Sequence, residues 1–270
     1  VLIKNAEVLE RLKDIDVLLV DKTGTITEGK PSVEQVTPAE GENEEKVIQY
    51  AASINQHSEH PLAQAVVSFS KEKGVSLIKT EKFRAETGKG VIGEADGKQI
   101  ALGNEKLMSS ISADIPDHLK QKATAAQQKG KTVSFLSIEN KVIGIVVIGD
   151  AIKNTSIAAI RDLESRGIEV MMLTGDNATT AGAVAKELNM KHFKAGMLPE
   201  DKLEEIKKLQ DSGKKVAMAG DGINDSPALA QSDVGIAMGT GTDVAIQSAG
   251  VTLVKGDLNG IVKAVDLSKR

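Results

Sequence analysis

A doubly wound α/β fold, with a parallel sheet and an inserted α+β domain on an antiparallel sheet, is what this 270-residue sequence predicts. Three observations carry that reading. Short, wholly apolar runs recur, and most of them end in a turn with an acidic residue or a glycine. Helical patterns separate those runs. One long stretch, from about residue 32 to about 143, interrupts the alternation with one strand pattern after another.

The first apolar run, Val17-Leu18-Leu19-Val20, leads into Asp21. Glu169-Val170-Met171-Met172-Leu173 leads into Thr174-Gly175-Asp176, and Lys215-Val216-Ala217-Met218-Ala219 into Gly220-Asp221-Gly222. Val234-Gly235-Ile236-Ala237-Met238 runs into Gly239, and Val251-Thr252-Leu253-Val254 follows. Runs this short and apolar read as fully buried strands. Helical patterns at 155–165, 179–188, 200–210 and 226–231 lie between them. Strand alternating with helix makes the sheet parallel, with helices on both faces.

Inside the long stretch, 44–56 and 61–73 read as helices, and 77–83, 90–95, 98–102, 132–138 and 141–148 as strands. Asp96-Gly97 and Glu139-Asn140 fall where tight hairpin turns belong. The expected division is a discontinuous parallel-sheet domain at 1–31 and 144–270, with the insert at 32–143. The expected hinges lie near Gly29-Lys30-Pro31 and Ile148-Gly149-Asp150.

Composition narrows the function classes. Net charge is -4 and the pI about 5.7, which argues against a broad nucleic-acid-binding face, so no nucleic acid is expected as a partner. The absence of cysteine excludes disulfides and thiolate metal sites. The longest apolar runs, such as 142–148, fall far short of the ~20 residues a spanning helix needs. The chain opens on Val1 without a signal-peptide pattern, and is expected to be a soluble piece of a longer protein.

In open α/β sheets the active crevice lies at the carboxyl ends of the strands. Asp21, Asp176 and Asp221 stand at such ends. One aspartate there is most often a capping residue; three beside glycines point to a site. Close carboxylates repel by about 4 kcal/mol per pair at an effective dielectric near 20, and a hard divalent cation such as Mg²⁺ offsets this. Lys202 is a candidate for further neutralisation, although spacing alone reads it as a solvated surface lysine.

Asp21-Lys22-Thr23-Gly24-Thr25-Ile26-Thr27 resembles the signature of P-type ATPases, a branch of the haloacid-dehalogenase-like fold. Thr174-Gly175-Asp176-Asn177 is similar to the family's second motif. Gly220-Asp221-Gly222-Ile223-Asn224-Asp225-Ser226-Pro227-Ala228-Leu229 is similar to its third. The resemblance covers the chain from end to end and implies roles. Asp21 would be the nucleophile that forms an aspartyl-phosphate from ATP. Mg²⁺ would be held by Asp21, the carbonyl of Thr23 and Asp221. Thr174 and Lys202 would contact the transferred phosphoryl group, with Asn224 and Asp225 supporting metal and phosphate. Asp176 would position the nucleotide, and Asp150 and Lys153 look like the family's hinge motif. Related phosphatases carry an aspartate where Thr23 stands. Threonine cannot activate water, so the phospho-enzyme is expected to persist.

In the insert, Ser58-Glu59-His60-Pro61 puts a proline where a helix begins. From the residues alone His60 is a surface or capping histidine. Gly88-Lys89-Gly90-Val91-Ile92-Gly93 fits a dinucleotide fingerprint, but strand and hairpin patterns follow instead of a helix. Its glycines serve either close backbone approach to a ligand or an ordinary turn. Together these features resemble the nucleotide-binding domain of the heavy-metal branch of P-type ATPases. That resemblance implies that His60, Gly88, Gly90 and Asn104 bind ATP, with Glu59 and Asn55 beside them. Asn55 stands where the branch usually has a glutamate, which implies weaker hold on adenine. His57 and His60 as metal ligands lack any supporting cysteine.

The expectation is therefore the catalytic core of a heavy-metal pump, Cu⁺ first, with Mg²⁺ and ATP as cofactors. It would be the cytoplasmic portion of an integral membrane protein, with absent membrane and actuator domains as partners. The rival readings are a free-standing phosphatase of the same fold and a non-catalytic nucleotide-binding module.

Overall fold

The computed structural model describes residues 1–222, 225–239 and 243–269. They form two compact units, Val1–Gly29 with Ala151–Arg270, and Lys30–Asp150.

The first unit opens with β1 (Leu2–Ile3), α1 (Ala6–Lys13) and β2 (Val17–Asp21). The second contains β3 (Ser32–Pro38), α2 (Glu44–Asn55), α3 (Pro61–Glu72), β4 (Glu81–Glu86), β5 (Gly90–Ala95), β6 (Lys98–Gly103), α4 (Glu105–Ser110), α5 (Asp117–Gln127), β7 (Thr132–Ile138) and β8 (Lys141–Gly149). The chain then returns to the first unit with α6 (Ser156–Ser165), β9 (Glu169–Leu173), α7 (Ala178–Glu187), β10 (His192–Lys194), α8 (Pro199–Asp211) and β11 (Val216–Gly220). It closes with α9 (Ser226–Gln231), β12 (Val234–Met238), α10 (Asp243–Ser248), β13 (Val251–Leu253) and α11 (Asn259–Ser268).

The sheet of the first unit has the order β1-β13-β12-β11-β2-β9-β10 and is parallel except for β1. Every residue of β2 is buried, as a strand covered on both faces requires. Alternation sorts its side chains: Leu18 and Val20 pack with Ile160, Leu163, Met172 and Val184. Val17 and Leu19 pack with Met171, Leu173, Ile206 and Met218 on the other face.

The sheet of the second unit, β3-β8-β7-β6-β5-β4, is antiparallel throughout. One face buries Val47, Ile48, Ala51 and Val66 of α2 and α3. The other buries Leu107, Met108, Leu119 and Ala123 of α4 and α5 against Phe135 and Ile145. Asp96 and Gly97 both have positive φ, 52° and 72°, the backbone of a type I′ hairpin.

Two sequence expectations need correction. The strand expected at 77–83 forms at 81–86 instead. Lys82 adopts φ +51° and the β4–β5 register shifts there, which breaks the extended run. The boundary expected at 143/144 cuts through β8. Every residue of Lys141–Gly149 except Ile143 pairs with β3 or β7, so the antiparallel unit extends to Asp150.

Candidate active site

β2 sits at the centre of its sheet, between β11 and β9. Val20 pairs with Ala219 and Asp21 with Leu173. The segments that leave these three strands carry Asp21, Asp221 and Thr174 with Asp176, and they start side by side at one sheet edge.

Glycine shapes this edge. After Asp21 the chain makes a wide turn over Lys22–Ile26, in which Thr23 is extended and Gly24 takes φ +72°. A Cβ on Gly24 would lie 1.7 Å from Oδ2 of Asp221, and one on Gly220 would lie 2.6 Å from Oδ2 of Asp225. Two carboxylates thus occupy the space that two side chains would fill.

Lys202 Nζ donates to Oδ1 of Asp21 at 2.6 Å and to Oδ1 of Asp225 at 2.7 Å. The spacing-based reading of Lys202 as a surface residue is overturned, because the first turns of α8 face inward and bury Lys202, Glu205 and Ile206. Burial first, and then the Asp225 charge, push the Asp21 carboxyl up to about 7, against the pull of Lys202. Burial and Asp225 likewise push Asp221 up to about 6, opposed by Lys153 and Lys202. For Lys202, burial works against the charged form, but the carboxylates of Asp21 and Asp225 outweigh it and raise the ammonium above its usual range.

Carboxylate oxygens of Asp21, Asp221 and Asp225 lie within 4.8 Å of one another. This is the only such group of three ligating side chains among the described residues. Clustered hard carboxylate oxygens are the donor set that suits Mg²⁺. Half-buried Thr23 follows in the turn two residues after Asp21. Asp225 was expected to act from behind; its carboxylate belongs to the cluster itself. Asn224 lies outside the described residues.

Beside the cluster, the Thr174 hydroxyl donates to Oδ2 of Asp176 at 3.0 Å and accepts the Asp176 N–H at 3.1 Å. The buried Lys22 ammonium pairs with the same, half-buried carboxylate. Sequence reasoning gave Lys22 no role. Its signal was a lysine inside a run of buried residues, where an ammonium needs a carboxylate. Asp150 accepts the Lys30 N–H at 3.1 Å within the second unit.

In the second unit, His60 is the N-cap of α3, and its Nδ1 accepts the Leu62 N–H at 3.2 Å. The residue is exposed, but partial desolvation of its ring lowers its pKa below 6.5. Glu59 is exposed beside it, and Asn55 is buried at the end of α2. His57 is spoken for elsewhere: its Nε2 lies 2.9 Å from the Thr80 hydroxyl. Gly88 turns with φ +68°. Gly90 adopts φ +145°, and a Cβ there would lie 2.2 Å from the Leu102 carbonyl oxygen, so its bareness already serves the β5–β6 contact. Asn104 caps α4 by accepting the Leu107 N–H at 3.1 Å, while its Nδ2 donates to the Gly88 carbonyl at 2.8 Å.

The family model for haloacid dehalogenase-like hydrolases matches residues 15–233. The copper-exporting P-type ATPase of Legionella pneumophila subsp. pneumophila is 49% identical over 269 residues, which is all of this chain and 36% of that protein. The silver exporting P-type ATPase of Salmonella typhimurium is 47% identical over 269 residues, 32% of its length. The chain thus spans about a third of the curated relatives it matches. Among solved structures, the catalytic domain of the CPx-ATPase CopB-B is similar at TM-score 0.78 and 32% identity, over 100% of this chain and 94% of that one. A zinc-transporting PIB-type ATPase in its E2.Pi state is similar at TM-score 0.66 and 35% identity, over 99% of this chain and 43% of that one. With the paired units and the Asp21 cluster in place, the chain belongs to the haloacid dehalogenase-like hydrolases and, within them, to the catalytic domains of heavy-metal P-type ATPases.

Proposed function

We propose that this chain is the ATP-hydrolysing core of a transition-metal export pump and that Asp21 is its phosphoryl acceptor. The observation that carries the reading is Lys202, whose ammonium touches both Asp21 and Asp225 at the end of the central strand. An oxygen of Asp21 attacks the γ-phosphorus of ATP. The new Asp21 O–P bond forms as the bond to the β-γ bridging oxygen breaks, and ADP leaves with that electron pair. Catalysis of this kind is mostly positioning and charge stabilisation.

Lys202 opposes the burial that makes Asp21 hold its proton, and offers positive charge to the transferring group. The Thr174 hydroxyl, whose one proton goes to Asp176 here, would donate to a phosphoryl oxygen by turning that proton away from Asp176 when ATP binds. Lys22 fixes Asp176. Asp21, Asp221 and the Thr23 carbonyl would hold Mg²⁺, with Asn224 and Asp225 supporting it; when bound, Mg²⁺ neutralises the phosphates and the clustered carboxylates. The Thr23 side chain cannot act as a base, so the acyl phosphate outlives the transfer. His60, Glu59, Asn55, Gly88, Gly90 and Asn104 form the nucleotide-holding set of the antiparallel unit. The exported ion is Cu⁺, by analogy with relatives named as copper and silver exporters. Membrane and actuator domains of the longer pump would be the partners.

Labelling with γ-³²P-ATP and Mg²⁺ tests the reading. Acid-stable, hydroxylamine-labile label that vanishes in Asp21→Asn is expected. Label absent from the unaltered chain would favour a non-catalytic nucleotide-binding module. Rapid release of phosphate without accumulated label would favour a phosphatase.

A further inference from the structure

Lys153 does more than sit near a domain boundary. Its ammonium donates to three main-chain carbonyls: Gly24 at 2.8 Å, Thr25 at 3.1 Å and Gly256 at 2.8 Å. An ammonium has three N–H donors and no planar constraint, so three converging carbonyls match its valence. Two of them belong to the turn directly after Asp21. The third belongs to the loop between β13 and α11.

The surrounding contacts hold the same turn from the same side. Glu28 N–H donates to the Ala151 carbonyl at 2.8 Å, and Lys153 N–H to the Ile26 carbonyl at 3.0 Å. The Ser156 hydroxyl donates to that Ile26 carbonyl at 2.8 Å. Thr27 and Ile152 form an isolated antiparallel bridge. Segment 151–156 therefore laces the turn along its length, and the Lys153 side chain extends that lacing to the Gly256 loop. Carbonyls of Gly24 and Thr25 that point at Lys153 fix the peptide planes next to Thr23. Gly24, against which the Asp221 carboxylate packs, is fixed with them.

We propose that Lys153 is a positioning residue for phosphoryl transfer. It holds the acceptor turn in its working shape and ties that turn to the loop that starts α11. This rests on Asp21 being the phosphoryl acceptor. The consequence is a mechanical link: displacement of α11 pulls on Gly256, and through Lys153 on the backbone beside the acceptor. Removal of the ammonium frees both partners at once. Misplacement of a reacting group by about 1 Å costs on the order of 100-fold in rate, and ATP binding contacts are left untouched.

The experiment uses the full chain, with Lys153→Met to keep the stem and remove the charge. Phosphorylation from γ-³²P-ATP is followed at saturating and limiting ATP, and amide hydrogen exchange is followed at 22–28 and 255–261. The expected result is a phosphorylation rate lower by about 100-fold with KM for ATP within about twofold, and faster exchange in both segments together. Lys153→Arg, whose planar fork cannot meet three converging carbonyls, is expected to fall between the two, and serves if the methionine variant does not fold. A wild-type rate in the methionine variant, or in the arginine variant where it stands in, overturns the proposal, as does faster exchange confined to one segment. An effect on KM alone also overturns it. Failure of the unaltered chain to take label would refute Asp21 as acceptor instead, while the exchange result would still decide whether Lys153 ties the two segments.

Discussion

The β-carbon that Gly24 lacks would stand 1.7 Å from Oδ2 of Asp221. No side chain at position 24 is compatible with the present place of that carboxylate. Gly24 also has φ +72°, which costs an L-residue roughly 1 kcal/mol. Gly24→Ala is therefore expected to displace Asp221 and lower phosphorylation at Asp21 by about 100-fold, while thermal melting drops by only a few degrees. Labelling beside a melting curve checks this. Full labelling in the variant would show that Gly24 does not set the position of Asp221.

The acidic cluster predicts an inverted pH dependence in metal-free buffer. Asp21 and Asp221 hold their protons more tightly folded than unfolded, at about 7 and about 6 against 3.8. Through that window the folded chain binds more protons, so the contribution of these groups to stability is fully present below 3.8 and is lost as pH rises toward 7. Mg²⁺ binds the ionised forms, so it is expected to raise the melting temperature more at about pH 8 than at about pH 5. An equal Mg²⁺ effect at both pH values would mean that the cation binds away from these carboxylates.

His60 is expected to titrate below 6.5, because partial desolvation disfavours its charged form and its Nδ1 must stay unprotonated to accept the Leu62 N–H. The unfolded chain then binds the proton more readily. The contribution of His60 to stability is present above 6.5 and is lost as pH falls through the folded pKa. Ring proton shifts and the Leu62 amide shift, followed by NMR, should change together with one midpoint. A midpoint above 6.5 would contradict the cap geometry.

Asn104→Ala removes the N-cap of α4 and the link to the Gly88 carbonyl in one step. A loss of about 1 kcal/mol is expected from the cap alone, read by denaturant unfolding. Weaker ATP binding should accompany it, because the Gly88 turn is released. Asn104→Asp keeps the cap acceptor but not the Nδ2 donor, so it should restore most of the stability and little of the ATP affinity. Recovery of both would place the whole effect in the helix cap.

Much of this protein was legible before any coordinates. The buried strands were visible because β2, β11 and β12 are apolar at nearly every position, and a strand covered on both faces admits little else. Helices α2, α3, α6, α7 and α8 were found within a residue or two of their ends. By contrast α4 and α5 left little trace. α5 buries only Leu119, Ala123 and Gln127, too sparse a stripe to stand out from its polar neighbours, and α4 has 6 residues. The short strands β1 and β10 escaped for the same reason: pairing with neighbours made them, not local pattern.

The sequence by itself determined the chemistry on offer, since the residues around Asp21, Asp176 and Asp221 specify acceptor, base-poor neighbour and flanking glycines by identity alone. Only the tertiary structure decided which groups meet. Lys202 is 181 positions from Asp21 and Lys153 is 129 from Gly24. Their pairing depends on β2 lying between β9 and β11 and on which face of α8 turns inward. Those are packing outcomes of the whole core, and no local window of residues contains them.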